Sequence, residues 1–104
     1  MDAGEFNQKV DETLAAIEDA LEDSDADLDW DTVGGILTIE CSDGSQVIIN
    51  RQAPSRQIWV AARAGGFHFD YHPAEDCWKQ GDEELFSLIG RCLSEQSGET
   101  VKLG

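Results

Sequence analysis

The stretch Ile36-Leu37-Thr38-Ile39-Glu40-Cys41-Ser42-Asp43-Gly44-Ser45-Gln46-Val47-Ile48-Ile49-Asn50 reads as a β-hairpin. Ile36 to Cys41 and Gln46 to Asn50 are rich in β-branched residues, and Ser42-Asp43-Gly44-Ser45 between them is turn chemistry. Working towards the C-terminus, Gln52 to Arg56 contains Pro54 and reads as a loop. Gln57-Ile58-Trp59-Val60-Ala61 is a further strand, with Ile58 and Val60 on one face and Gln57 and Trp59 on the other. Ala64-Gly65-Gly66 is expected to turn the chain. Phe67-His68-Phe69-Asp70-Tyr71 then alternates aromatic and polar groups until His72-Pro73 ends it, and a short strand passes through Cys77-Trp78. Towards the N-terminus, Gly34-Gly35 breaks or bulges the chain, and Leu28 and Trp30 alternate with Asp27, Asp29 and Asp31 as in a half-buried strand.

The ends of the chain carry the helical period. From Glu5 to about Asp23, Phe6, Val10, Leu14, Ile17 and Leu21 recur at helical spacing and form one apolar stripe. A second helix is expected from Asp82, as N-cap, with Glu83 and Glu84 in its first turn. Its stripe is Leu85, Leu88, Ile89, Cys92 and Leu93, and Ser97-Gly98 stops it. A helix, a run of antiparallel strands and a helix, without βαβ alternation, define an α+β fold. The expectation is a two-layer sandwich: N- and C-terminal helices packed on one face of a single antiparallel sheet, its other face open. At 104 residues the chain is read as one domain, 1–104.

Between the first helix and the hairpin lies the run Glu18-Asp19-Ala20-Leu21-Glu22-Asp23-Ser24-Asp25-Ala26-Asp27-Leu28-Asp29-Trp30-Asp31. Eight of its fourteen residues are carboxylates, and no Lys or Arg occurs between Lys9 and Arg51. Glu18/Glu22 and Asp19/Asp23 are like-charged i,i+4 pairs, which destabilise a helix. Acids at a helix C-terminus also oppose its dipole. A charge run is ordinarily just a solvated face. Here its regular spacing and the missing cations mark Glu18, Asp19, Glu22, Asp23, Asp25, Asp27, Asp29 and Asp31 as a candidate cation site. Carboxylate oxygens suit hard or borderline ions, iron in either oxidation state and other divalent cations among them. With no thiolate or imidazole embedded, several weak, overlapping, salt-sensitive sites are expected.

Composition narrows the function classes. A net charge of −15 and a pI near 4.1 argue against nucleic-acid and anionic-membrane partners, which call for a basic face. Acids concentrated on one edge also disfavour a nucleic-acid mimic. Cys41, Cys77 and Cys92 form no C-x-x-C, so neither a disulfide framework nor a zinc knuckle is indicated. Cys41 and Cys92 read as packing residues, and Cys77 has no assigned role. No leader-like segment or membrane-length apolar run is visible, and the expected location is the cytoplasm. An EF-hand starting at Asp29 would place Val33 at a ligand position and a strand where a helix should begin. A ferritin-type centre needs Glu-x-x-His pairs on helices, whereas His68 and His72 lie on or near a strand. Trp59, on the face opposite Ile58 and Val60, reads as a binding anchor; Trp30 and Trp78 read as core. His68 alternates with Phe67 and Phe69 and reads as an uncommitted surface histidine.

Several of these pieces together resemble the frataxin family, in particular its bacterial CyaY branch. They are the acidic first helix running into Asp27-Leu28-Asp29, then Gly34-Gly35-Ile36-Leu37-Thr38-Ile39, and above all Ile48-Ile49-Asn50-Arg51-Gln52-Ala53-Pro54 followed by Gln57-Ile58-Trp59. Gly65-Gly66-Phe67-His68-Phe69-Asp70, Trp78 and Gly98-Glu99-Thr100-Val101 complete it, so that the resemblance covers nearly the whole chain. It implies a two-helix, single-sheet sandwich that binds Fe2+/Fe3+ weakly on the acidic ridge and modulates iron–sulfur cluster assembly. It also implies docking on a cysteine desulfurase and on the assembly scaffold, through Glu18, Asp19, Glu22 and Asp23 of the ridge and through Asn50, Gln52, Gln57 and Trp59 of the sheet. His68 stands where mitochondrial relatives tend to carry Arg. The chain ends soon after the second helix, so thin cover of the groove between the helices, and modest stability, are expected. A monomer that associates under iron load, acting as a binding protein and not an enzyme, is the expected form. The competing reading is a ferroxidase that oxidises Fe2+ at the same carboxylates.

Overall fold

The computed structural model describes residues 1–103. Helix α1 spans Ala3–Glu22, and seven strands follow: β1 Leu28–Val33, β2 Ile36–Cys41, β3 Gln46–Gln52, β4 Gln57–Ala62, β5 Gly65–His72, β6 Cys77–Gln80 and β7 Glu83–Glu84. Helix α2 spans Leu85–Ser97. The strands pair in sequence order, each antiparallel to the next, so the sheet is a meander with β1 at one edge. This is the expected α+β sandwich.

Alternation along each strand sorts residues between two environments. Leu37, Ile39 and Cys41 of β2, Val47 and Ile49 of β3, Ile58 and Val60 of β4, Phe69 of β5 and Trp78 of β6 point into the core. They meet Phe6, Val10, Leu14, Ile17 and Leu21 of α1 and Leu85, Leu88, Ile89, Cys92 and Leu93 of α2. Each fully buried Leu, Ile or Phe contributes about 1.5–3 kcal/mol of transfer free energy. Trp78, at 3% exposure, packs edge-on to Phe6 and donates its indole N–H to Thr13 Oγ1 at 3.0 Å. The residues between these positions face solvent on the uncovered side.

Three local features depart from the expected reading. Val33 pairs with Ile36, so Gly34-Gly35 is a two-residue hairpin loop. Its φ values of 61° and 78° have the sign a type I′ turn requires. The β4–β5 turn is Arg63-Ala64, because Ala62 already pairs with Gly65; Gly65 and Gly66 are strand residues. Asp82 is not the N-cap of α2. Gly81 (φ 62°) and Asp82 turn the chain so that Lys79 pairs with Glu84. Glu84 then caps the helix, accepting from Phe86 and Ser87 N–H at 2.9 and 3.2 Å. The stop at Gly98 is as expected, in the left-handed conformation with its N–H on Ser94 O.

The C-terminal segment covers more than its length led us to expect. Val101 and Leu103 are buried, and Ser94 Oγ both accepts from Val101 N–H (2.8 Å) and donates to Val101 O (3.2 Å). A Cβ on Gly90 would stand 3.1 Å from Val101 O, a tight contact that would press the segment a few tenths of an ångström away from α2.

Two polar links tie turns together. Gln96 of α2 is buried. Its Oε1 accepts from Arg63 N–H (3.0 Å) and its Nε2 donates to Ser45 Oγ (3.1 Å) and Gln46 O (3.3 Å). Asp43 accepts from Ser45 N–H (2.9 Å) and Ser45 Oγ (2.6 Å) and pairs with Arg63 (2.9 Å). The Ser45 hydrogen bonds, chiefly, and the Arg63 guanidinium hold its carboxyl far below the usual range. Q96A, leaving buried partners unsatisfied, is expected to lower urea-unfolding stability by about 1–3 kcal/mol. Because the folded pKa of Asp43 is depressed from 3.8, its contribution is fully present above that pH and falls away below it. The stability difference between wild type and D43A should therefore be constant near neutrality and shrink as pH drops below about 4, as read by denaturant titration at each pH.

Candidate acidic rim and open sheet face

Helix α1 starts well and ends badly. Asp2 caps it, accepting from Glu5 N–H at 2.8 Å, while its last turn holds no cation. Hydrophobic burial of its stripe overrides this unfavourable end. The chain leaves α1 through Asp23 to Asp27 and enters the edge strand β1.

Register decides where each carboxylate points. Leu28, Trp30 and Thr32 pair with buried Cys41, Ile39 and Leu37, which puts them on the helix side of β1. Asp29 and Asp31 therefore face the open side. Glu18, Asp19, Glu22 and Asp23 belong to the helix layer, and exposed Asp25 and Asp27 lie in the connection. The eight sequence-selected acids thus border β1 from both sides. Glu18 is half-buried and accepts from Thr32 Oγ1 at 3.1 Å, which joins the two layers. Trp30 is only partly buried, at the edge of the core.

Two further acids join the rim. Glu40 pairs across from Asp29, a like-charged cross-strand pair, and Glu99 accepts from Asp27 N–H at 3.1 Å. Hairpin register points to Glu40; nothing local in sequence points to Glu99. None of the eight selected carboxylates takes part in an ion pair among the described residues. Five of the seven cations are paired elsewhere: Arg51 with Asp11, Arg63 with Asp43, Arg91 with Glu83, Lys79 with Glu75, and Lys9 with Glu12 and Asp76. Among the described residues no three His, Cys, Asp or Glu side chains are gathered as a metal cage. The donor set is all oxygen and open to water, which fits hard cations held loosely and exchanged readily.

The open face presents a second constellation. Asn50, Trp59 and His68 lie in one cross-strand row of β3, β4 and β5. Trp59 is 36% exposed, and its indole stacks flat on the His68 imidazole, with centroids 4.3 Å apart and planes at 10°. The indole N–H donates to Gln57 Oε1 at 2.9 Å, and Gln57 Nε2 donates to Asp70 Oδ1 at 3.1 Å. Gln52 pairs with Gln57 in the neighbouring row. All four sheet residues selected from sequence thus share one surface. His68 is no free surface histidine: strand pairing sets it against Trp59, a relation only the β4–β5 register reveals.

Cys41 and Cys92 are buried, as expected of packing residues. Cys77 is half-buried beside Trp78; burial, with Glu75 adding to it, pushes its thiol up. No helix among the described residues is long and apolar enough to cross a membrane.

The profile of the frataxin-like domain matches residues 1–99. The chain belongs to the frataxin-like family. Its relatives include proteins named iron-sulfur cluster assembly protein CyaY. That of Pseudomonas aeruginosa is 47% identical, covering 98% of this chain and 96% of its own. That of Photobacterium profundum is 42% identical, covering 97% and 96%. Among solved structures, the frataxin from Psychromonas ingrahamii, described as a model for stability modulation within the CyaY family, matches with a TM-score of 0.90. It is 35% identical, over 100% of this chain and 99% of that one. The fold that carries the acidic connection and the Trp59 row is therefore a family fold. If the rim acids oppose α1 as argued, the double variant D19K/E22K should melt a few degrees higher than wild type at low salt, with the gain shrinking as salt is added. Differential scanning calorimetry at two ionic strengths checks both parts.

Proposed function

We propose that this chain is a binding protein of iron–sulfur cluster assembly, loading Fe2+ or Fe3+ weakly on the acidic rim and docking on a cysteine desulfurase and the assembly scaffold. Two things support the reading. Relatives at 42–47% identity over nearly their whole length carry the assembly name. The observation that carries it is the set of eight rim carboxylates without a single ion-pair partner among the described residues. Their mutual repulsion is relieved by a cation or by a basic protein patch, and by the same residues in either case.

Iron here is cargo. Glu18, Asp19, Glu22, Asp23, Asp25, Asp27, Asp29 and Asp31 supply single oxygens from an exposed edge, so exchange is fast and selectivity over other divalent cations is low. Docking uses the charge of the rim for encounter and Trp59, with Asn50, Gln52 and Gln57, for grip. A net charge of −15 steers the chain towards a basic partner over long range and makes association fall with salt. A ferroxidase would need carboxylates already gathered around metal, and no observation favours it over loose binding.

Replacing Glu18, Asp19, Glu22 and Asp23 by Ala should abolish most iron-induced amide shifts along α1 and β1. The same variant should slow association with the desulfurase and flatten its salt dependence. W59A should leave iron binding intact and weaken docking on the desulfurase–scaffold complex by about 2 kcal/mol, roughly thirty-fold in Kd. NMR titration and calorimetry separate the two surfaces; unchanged binding of iron and desulfurase in the Ala variant would overturn the reading.

A further inference from the structure

We propose that His68 is a positioning residue that clamps the Trp59 indole in the orientation that docks; the consequence for docking rests on the reading above, whereas the clamp itself does not. An exposed tryptophan on an open sheet has two side-chain torsions to lose when a partner closes over it, and ordering them weakens binding. Here both are already restrained. The imidazole of His68 lies parallel to the indole at 4.3 Å, which fixes the plane of the ring. The Nε1–H bond to Gln57 Oε1 at 2.9 Å fixes its rotation within that plane. Gln57 is itself held, since Ser55 Oγ donates to its Oε1 (3.2 Å) and its Nε2 donates to Asp70 (3.1 Å). His68 is anchored through its backbone, whose N–H donates to Gln80 Oε1 at 2.6 Å.

The clamp is made by three adjacent strands, so backbone pairing sets its geometry: Asn50 opposite Trp59, and Trp59 opposite His68. Gly66, two residues before His68 on the same face, has open space where a Cβ would be. Nothing there pushes the imidazole off the indole. The stack survives either charge state of the ring, because an imidazolium over indole is a cation–π pair. The charged groups near His68 are few. Asp70 lies on the same face of β5 and is bonded to Gln57, and on β6 Lys79 pairs with Glu75; β3 and β4 present Asn50, Gln57 and Trp59 but no charge.

Three variants test this. Trp59 is identified in the proton–nitrogen spectrum as the indole peak missing from W59F. In H68A that peak should move and broaden, reporting a freed ring, while H68F, which keeps a flat partner, should leave it sharp. Docking on the desulfurase–scaffold complex should weaken about five-fold in H68A and recover in H68F. An indole peak unmoved in H68A, or one that broadens in H68F as much as in H68A, overturns the clamp. Failure of H68F to restore a docking loss overturns its role in docking. Should W59A not weaken docking at all, the docking reading falls, and the spectra still decide the clamp.

Discussion

One-sided burial governs this molecule. Two helices can cover only one face of a seven-stranded meander, so every strand must divide its residues between core and water at a period of two. Ile58 and Val60 are sealed while Trp59 between them is not. The same rule puts Leu28 inside and Asp29 outside on the edge strand. Function is confined to the positions that burial leaves free, and register sets which of these become neighbours. A one-residue slip would bury Trp59 and His68 and expose the core, so fold stability itself enforces the open-face pattern.

Against that scaffold the acidic rim is a local loss that the core tolerates. Helix α1 ends in like charges against its own dipole, and β1 continues with Asp29 opposite Glu40. The stripe from Phe6 to Leu21 outweighs these few tenths of a kcal/mol per pair several times over. Charge at an edge strand also blocks pairing with other chains. Edge protection alone explains Asp29 and Asp31, which lie on the edge strand β1. It does not explain Glu18, Asp19, Glu22 and Asp23, which sit on a helix that has no edge to protect. That excess is the physical reason to read the rim as a binding surface.

Much of this was legible in sequence because it depends on period alone. The helical stripes and the hairpin from Ile36 to Asn50 needed only spacing, and the inward and outward faces of β4 only alternation. What escaped depends on pairing between distant segments. Asp82 has the chemistry of an N-cap, but Gly81 draws it into a turn and passes the cap to Glu84. Gly65-Gly66 looks like a turn, yet pairing with Ala62 and Ala61 makes it strand. Alternation put Asp29 and Asp31 on one side of β1, as the register has them, whereas Asp27 lies just before the strand. That this side is opposite Glu18 and Glu22 follows only from the pairing with β2. The residue-level resemblance singled out Asn50, Gln52, Gln57 and Trp59; His68 and Gln96 work through partners on other elements, which no local pattern encodes.

The geometry also separates the two surfaces physically. Neighbouring strands lie about 4.8 Å apart, so Trp59 on β4 is three strand spacings, roughly 14 Å, from the acids of β1. That exceeds the Debye length of about 8 Å at physiological salt. The rim therefore does little to the immediate surroundings of Trp59, whose neighbours are Asn50, Gln57 and His68. Long-range charge acts on the rate of encounter, whereas an aromatic held in place by stacking acts on how long the encounter lasts. Asp29 and Asp31 share the open face with Trp59, while Glu18 and Glu22 do not. A partner that engages all of them must wrap the β1 edge, to which the cation-free connection from Asp23 to Asp27 joins the helix layer.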